Sequence, residues 1–253
     1  MINRPFLTLI QREIWRFIGL YKQTLVPSII SSGLYIVVFG ETLGSRIGVI
    51  KEIKYIHYII PGLVAMNAIN NAYQNSSSSL MQAKFLKFID DLLITPLNGL
   101  ELSIGYMIGG ILRGFLNGML VIGFGWFFAD LSITNMPLTM VNLILISWAF
   151  SALGVIVGIW GQSWDHIAIF SNFIFLPLTF LGGVFYSIDM LPEYLRNISM
   201  INPLYWMING MRFSMLGVYD SSPYLSVFIS SVFVILFSGL ATLMFSKGYK
   251  IKQ

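Results

Sequence analysis

The chain contains six long stretches that are almost free of charged residues. Each is at least 18 residues long, which as an α-helix covers about 27 Å, close to the thickness of the hydrocarbon core of a bilayer. Across all six, the only formal charge is Arg113. Membrane-crossing strands would be shorter and would alternate in polarity, so segments of this kind must be helices. The stretches predict six spans, at residues 23–40, 56–80, 102–129, 138–161, 167–188 and 224–246.

The composition excludes several other classes of protein. Charged residues make up 10% of the chain, whereas a soluble domain carries about 25%. A disordered chain would combine low hydrophobicity with high net charge, and a disulfide scaffold would need cysteines, of which there are none. The basic residues do not cluster as a nucleic-acid patch would, so we expect no nucleic-acid partner. The sequence predicts an all-α polytopic membrane protein with a single domain over residues 1–253.

The distribution of Lys and Arg indicates the orientation of the chain. An even number of spans places both termini on one side of the membrane. The segments on that side hold nine basic residues and those on the other side hold five. Because basic residues are enriched in cytoplasmic segments, we predict that both termini are cytoplasmic.

An amphipathic helix is predicted at residues 4–22, directly before the first span. Arg12 and Arg16 fall on its polar face, and Phe6, Ile10 and Phe17 fall on the opposite face. Such a helix lies in the membrane interface with its basic face towards water or a partner. A simple positive-inside anchor explains the pattern equally well.

A second helical pattern is predicted in the cytoplasmic segment 82–98, after span two. Lys84, Lys87 and Asp91 are three and four residues apart on one face, and Thr95 and Pro96 end the pattern. Its apolar side chains need a surface to cover them, either this protein's own bundle or a docked subunit. The neighbouring Asp90 and Asp91 are interpreted as solvated loop acids because further carboxylates for a metal site are missing from the segment.

The external segment 189–220 is longer than a connector requires. Pro192 followed by Glu193 and the pair Asn202-Pro203 are both signals for the start of a helix. The apolar run that follows Pro203 is too short to span a membrane but suits a re-entrant helix. We therefore predict a structured cap of external re-entrant helices before the last span.

Polar residues without charge form a stripe on span two, at Asn67, Asn70, Asn71 and Gln74. Amides there either hydrogen-bond across helices or line a hydrated path. Asn172 belongs to a sparser stripe on span five. Arg113 near the middle of span three is costly in lipid and must point into the bundle, where it binds an anionic group or holds the helices together.

The sequence contains no motif for catalysis. There is no phosphate-binding G-x-x-x-x-G-K-[ST] motif, so any ATP would have to be bound and hydrolysed elsewhere. His57 and His166 are predicted at opposite membrane faces and have no ligand-spaced neighbours, so we expect no metal site.

Two stretches resemble the ABC-2 family of exporter permeases, which work with a separate ABC ATPase. The stronger, at residues 180–212, reads FLGGVFYSIDMLPEYLRNISMINPLYWMINGMR, and the weaker, at residues 84–97, reads KFLKFIDDLLITPL and is similar to the family's first cytoplasmic loop. The residues that carry the stronger resemblance are Gly182, Gly183, Pro192, Asn202, Pro203 and Arg212. Gly182 stands where many members have Ser, so the substrate group cannot be transferred from the family.

The resemblance implies a bacterial inner-membrane permease that exports a lipid-linked, saccharide or drug-like amphiphile. Two permeases, the second expected to be identical, would form the pathway, and two ATPase subunits holding ATP and Mg would dock beneath. This chain itself would need no cofactor. The implied ATPase contacts are Arg12, Arg16, Lys84, Lys87, Asp90 and Asp91. The pathway candidates are Asn67, Asn70, Asn71, Gln74, Arg113 and Asn172.

A different class of protein, a secondary transporter or an intramembrane transferase, would act without an ATPase. A secondary transporter usually carries a buried acid in its spans and often inverted repeats, and a transferase needs a catalytic constellation. Neither pattern is found in the sequence, which favours the permease.

Overall fold

The structure of the protein, a computed structural model, describes residues 4–250, apart from the side chains at positions 41 and 93. Helices form most of this part of the chain. A short antiparallel hairpin, β1 (Val49–Ile50) and β2 (Ile53–Lys54), interrupts them. In chain order the helices are α1 (Arg4–Gly19), α2 (Tyr21–Ile47), α3 (Tyr55–Phe85), α4 (Ile89–Leu93), α5 (Gly99–Ala129), α6 (Met136–Trp160), α7 (Trp164–Leu181), α8 (Glu193–Ile201), α9 (Pro203–Leu216) and α10 (Pro223–Ser246).

Five of these helices, α2, α5, α6, α7 and α10, are long and apolar enough to cross a membrane. They begin within three residues of the predicted starts of spans one, three, four, five and six. The prediction of an all-α polytopic membrane protein is confirmed at this level. Helix α7 ends seven residues before the predicted boundary of 188, because Gly183 adopts a left-handed φ of 75° that stops the helix.

Helix α3 coincides with the second predicted span and has 31 residues, but it is too polar to count among those five. It packs against α5, α6 and α9, and most of its residues are buried. Most of the amides and serines of α3 therefore meet other helices, which is how a polar helix can occupy the centre of such a bundle. The sixth span stays a prediction.

Glycines allow α5 to approach its neighbours closely. A methyl group on Gly110 would collide with Ser76 of α3 and Ser151 of α6, and one on Gly154 of α6 would lie 2.5 Å from the carbonyl oxygen of Tyr73. A side chain at either glycine would therefore push these helices apart.

Two of the apolar helices contain a π-helical turn, Val38–Leu43 in α2 and Phe170–Phe175 in α7. Each turn lies within a longer helix, so the α-helical hydrogen bonding is interrupted without a break in the chain. In α2 the turn includes the predicted end of span one at residue 40, and the helical segment continues to Ile47.

The segment 82–98, which is predicted to be cytoplasmic, differs from the continuous helical face that its pattern predicts. Helix α3 ends at Phe85, Lys87 has a left-handed φ of 61°, and the short helix α4 starts only at Ile89. Lys84, Lys87 and Asp91 therefore do not share one helical face. A positive φ at a residue with a side chain breaks helical periodicity, and the sequence pattern did not reveal it.

Helices α8 and α9 begin where the proline signals predict. Pro192 immediately precedes α8, and Pro203 is the first residue of α9. The side-chain oxygen of Asn202 accepts a hydrogen bond from the backbone N–H of Leu204 at 3.0 Å, which caps α9. Two helices thus follow the two start signals. The external, re-entrant position of these helices stays a prediction.

Candidate functional site

A polar cavity of about 340 Å³ lies between α2, α3 and α5. It is lined by amide and hydroxyl side chains, together with one guanidinium. The lining residues are Gln23, Thr24, Pro27, Ser28, Ser31, Tyr35, Met66, Asn67, Asn70, Asn71, Gln74 and Arg113. Five of the six predicted pathway residues thus line one cavity, whereas Asn172 is exposed on α7 and is not part of this lining.

Two amides of α3 connect this helix to α2. Asn67 Nδ2 donates to Ser32 Oγ at 2.9 Å, and Asn71 Nδ2 donates to Ser28 Oγ at 3.1 Å. The same nitrogens also donate to carbonyls one turn earlier in α3. These two residues therefore join helices and line the cavity at once, so the two alternatives for the stripe are compatible.

The other two amides of the stripe are less engaged. Asn70 Nδ2 donates only to the Met66 carbonyl of its own helix, at 3.0 Å, among the hydrogen bonds of the described residues. Gln74 is exposed, and its side chain makes no hydrogen bond to the described part of the chain. Their free polar atoms give the cavity capacity to hydrogen-bond a ligand.

Arg113 is 9% exposed and reaches the cavity from α5. Its Nε donates to Asn71 Oδ1 at 3.2 Å. Among the described residues it forms no ion pair and no other side-chain hydrogen bond. A buried guanidinium whose terminal nitrogens lack protein partners is suited to bind an anionic group.

A buried carboxylate, Glu13, fixes the amphipathic helix α1 to the bundle. Glu13 is fully buried, and its Oε1 accepts hydrogen bonds from Ser79 Oγ at 2.8 Å and from Arg12 at 2.9 Å. Arg16 Nε lies 3.5 Å from Glu13 Oε2. A buried charge of this kind is stable only when it is paired, so α1 docks through a specific electrostatic contact.

The two arginines on either side of Glu13 turn towards the bundle. Arg12 donates to the Tyr106 hydroxyl at 3.1 Å, and Arg16 donates to the backbone carbonyl of Asn75 at 2.7 Å. Both side chains are partly buried. Arg12 and Arg16 belong to the basic face predicted for α1. In the structure they hydrogen-bond to α5 and α3 rather than pointing freely into water.

The predicted ATPase-coupling residues of segment 82–98 fall into two groups. Lys84 is buried, and its Nζ donates to the carbonyls of Gly158, Ile159 and Gly161 at 3.2, 2.7 and 2.7 Å. Lys84 thus binds the last carbonyls of α6, where a cation complements the helix dipole.

Lys87, Asp90 and Asp91 are exposed instead. They lie beside exposed apolar side chains, Phe85 at 76% and Ile94 at 84% exposure. We call the surface formed by Phe85, Lys87, Asp90, Asp91 and Ile94 the loop surface. A surface that combines apolar and charged side chains is typical of protein contacts.

A buried ion pair joins α9 to the segment between α9 and α10. Arg212 Nη1 donates to Asp220 Oδ2 at 3.2 Å, both side chains are fully buried, and Arg212 Nη2 donates to the Gly183 carbonyl at 2.6 Å. The guanidinium also lies 4.1 Å from the ring centre of Tyr58. The signature residues Gly183 and Arg212 therefore fasten the turn after α7 to α9.

The hairpin is bound to the same carboxylate. Lys51 Nζ lies 2.6 Å from Asp220 Oδ1 and 3.1 Å from Asp189 Oδ2, and Ser187 Oγ donates to Asp220 at 2.7 Å. Burial alone would raise the pKa of the Asp220 carboxyl, but Arg212, Lys51 and Ser187 outweigh it, so that this pKa lies below its ordinary value of 3.8. Burial would likewise lower the pKa of Lys51, and the two carboxylates raise it above 10.5.

Glu13, Lys51 and Asp220 were not among the residues predicted to matter. For Glu13 the sequence contained a signal: Leu9, Glu13 and Phe17 are four residues apart and therefore share one face of a helix. In the structure all three are buried. No comparable signal marked Lys51 or Asp220, because their partners lie on distant segments.

The two histidines contact backbone. His57 Nε2 lies 2.5 Å from the Ala129 carbonyl at the end of α5, and His166 Nδ1 accepts from the N–H of Gln162 at 3.2 Å. Within residues 4–250, no group of three or more His, Cys, Asp or Glu side chains is arranged to hold a metal ion.

Known proteins resemble this chain over most of its length. The inner membrane transport permease YadH of Escherichia coli K12 is 36% identical over 242 residues, 96% of this chain and 94% of YadH. Nodulation protein J of Rhizobium leguminosarum bv. viciae is 23% identical, covering 80% of this chain and 79% of that protein. Nodulation protein J of Rhizobium meliloti is also 23% identical, over 73% and 71% of the two chains.

The sequence model of one family matches residues 4–216, which include α1 to α9. This match, the similarity to YadH and the apolar helices identify a multi-pass inner-membrane transport permease. The chain belongs to the ABC-2 type transporter family.

Proposed function

We propose that this protein is the permease subunit of an ATP-driven exporter and that the polar cavity is part of its translocation pathway. Two copies of the chain would form the complete pathway, both termini would be cytoplasmic, and the cargo would be a lipid-linked, saccharide or drug-like amphiphile. The observation that carries the proposal is the convergence of five amide side chains, four of them from α3, and one guanidinium on a single cavity among apolar helices. Polar groups are costly there unless they serve packing or transport.

ATP hydrolysis would take place on two separate ABC ATPase subunits that bind ATP and Mg. Their contact would be the loop surface together with the exposed side of α1. Glu13 and Ser79 connect α1 to α3, and α3 carries the cavity amides. Movement of α1 on ATPase closure would therefore be transmitted to the cavity through a paired, buried carboxylate rather than through a flexible linker.

Reconstitution tests the transport function. Vesicles that contain this chain and its co-expressed ATPase should accumulate a fluorescent lipid-linked saccharide when ATP is added. Vesicles with the chain alone should not, with or without an ion gradient. Transport by the chain alone under an ion gradient would contradict the proposal and favour a secondary transporter.

A charge reversal tests the docking surface. Lys87→Glu combined with Asp91→Lys should reduce co-purification of the ATPase about tenfold, because interface charges of the wrong sign oppose each other. Lys247→Glu, an exposed lysine after α10, is the matched control. Unchanged co-purification of the double variant would exclude the loop surface as the contact.

A further inference from the structure

The charge in the polar cavity is not balanced by the protein. Arg113 is the one charged residue among the residues that line it, and the rest of the lining is neutral. Its Nε is bound by Asn71, whereas its terminal nitrogens have no hydrogen-bond partner among the described residues. A buried guanidinium without a carboxylate is costly to maintain in a membrane protein, and an anionic ligand would offset that cost.

The chemistry of the lining matches an anionic group attached to hydroxyls. A guanidinium binds phosphate or carboxylate oxygens through two parallel hydrogen bonds. Asn70 and Gln74 line the same cavity and provide both donors and acceptors for neighbouring hydroxyl groups. Ser31 adds a hydroxyl from α2, which donates to the Ser28 carbonyl at 3.2 Å.

An apolar groove of about 330 Å³ continues from the cavity along α2. Ser31 and Tyr35 line both the cavity and the groove. Beyond them the groove is lined by Leu34, Val38 and Phe39, and Leu34 and Val38 are exposed. A polar cavity with a fixed positive charge that opens into an apolar groove is complementary to an amphiphile. The cavity suits a polar head group and the groove suits an alkyl chain.

We infer that the cavity and the groove together bind an anionic amphiphile, whose acidic oxygen group contacts Arg113 and whose alkyl chain lies along Leu34, Val38 and Phe39. This inference rests on the proposed function for the role of the cavity in transport. It narrows the cargo from amphiphiles in general to those that carry a phosphate or carboxylate.

Three ligands that differ by one part each test the inference. We would measure binding of 1-palmitoylglycerol 3-phosphate, 1-palmitoylglycerol and glycerol 3-phosphate to the purified full-length chain in a neutral maltoside detergent, without ATPase. The first carries anion and tail, the second lacks the anion, and the third lacks the tail. We expect the first to bind about tenfold or more tightly than either of the others.

Variants assign the difference to Arg113. Arg113→Gln should weaken binding of 1-palmitoylglycerol 3-phosphate about tenfold and leave 1-palmitoylglycerol unchanged, and Arg113→Lys should retain part of the selectivity. Arg46→Gln, which alters an exposed arginine outside the cavity, is the matched control. If the glutamine variant does not fold, the wild-type comparison of the three ligands still decides.

Specific results would overturn the inference. Equal affinity for the phosphorylated and unphosphorylated amphiphiles, or undiminished selectivity in Arg113→Gln, would show that Arg113 does not bind the head group. Equally tight binding of glycerol 3-phosphate would show that the ligand is a soluble anion rather than an amphiphile.

The binding assay is independent of the proposed function. Selective binding without ATP-dependent transport would contradict the exporter and leave the anionic site standing. ATP-dependent transport without selective binding would support the exporter and contradict the anionic site.

Discussion

Two buried arginines, Arg212 and Arg113, lie in different surroundings. Arg212 is paired with a carboxylate of the protein, whereas Arg113 lines a cavity and has no such partner among the described residues. Arg212 in α9 is bound by Asp220, by the Gly183 carbonyl and by the ring of Tyr58. Arg113 in the cavity is bound by Asn71 alone among the described residues. The same side chain is therefore structural where the fold supplies a carboxylate, and is available for recognition where the fold withholds one.

The largest effect expected from this comparison is that of Arg212→Ala. Removal of the guanidinium leaves Asp220 buried with Lys51 as its one remaining cation among the described residues. Loss of one partner of a buried ion pair costs about 3 to 5 kcal/mol in the free energy of unfolding. Unfolding by dodecyl sulfate in mixed micelles measures the loss.

Arg196→Ala is the control for Arg212. Arg196 pairs with Asp189, and both side chains are 44% exposed. Its removal should change the free energy of unfolding by less than about 0.5 kcal/mol. Equal losses in the two variants would contradict a special role for the buried pair.

A third buried cation, Lys84, sharpens the comparison because its partners are carbonyls rather than a carboxylate. Lys84→Met should leave the carbonyls of Gly158, Ile159 and Gly161 without their donor and cost about 1 to 3 kcal/mol in the same assay.

The matched control for Lys84 is Lys87→Met, at an exposed position whose left-handed φ of 61° is equally unfavourable for lysine and methionine. It should be nearly neutral. If both methionine variants were equally stable, the contact between Lys84 and the end of α6 would contribute nothing to folding.

For Arg113→Leu we expect a smaller loss of stability, within about 1 kcal/mol, because no carboxylate is left unpaired. The substitution leaves one amide oxygen, that of Asn71, without its donor, at the wall of the cavity. The same unfolding assay, run beside Arg212→Ala, measures the contrast. A loss as large as that of Arg212→Ala would show that Arg113 is structural as well.

The smallest effect is expected from a change of pH on the contribution of Asp220 to the free energy of unfolding. Because the pKa of Asp220 is lowered in the folded protein, its stabilisation is complete above the ordinary pKa of 3.8 and is lost as the pH falls through the lower, folded value. The difference in unfolding free energy between the protein and Asp220→Asn should thus be constant from about pH 8 to pH 5. A difference that already declined at pH 6 would contradict the lowered pKa.

Local signals allowed much of this architecture to be predicted from the sequence. Long apolar runs gave the starts of five helices, and Pro192 and Asn202-Pro203 gave the starts of α8 and α9. The three- and four-residue spacing of the α3 amides placed them on one face, and that face does line the cavity.

What could not be predicted depends on contacts between distant segments. Lys84 has the spacing of an exposed residue, but its partners on α6 are at least 74 residues away in the chain. Glu13 and Ser79 are separated by 66 residues, and Lys51 and Tyr219 by 168. Periodicity assigns a residue to a face of a helix, but it does not reveal which neighbour covers that face.

The π-helical turns of α2 and α7 have a mechanical consequence for a transporter. Such a turn accommodates one residue more than the surrounding α-helix. If the position of the π-helical turn shifted along the helix, each side chain that it passed would rotate by about 100° around the helix axis. In α2 the turn begins at Val38, inside the apolar groove. A shift of one residue there would re-aim the groove-lining side chains while both ends of the helix stayed anchored.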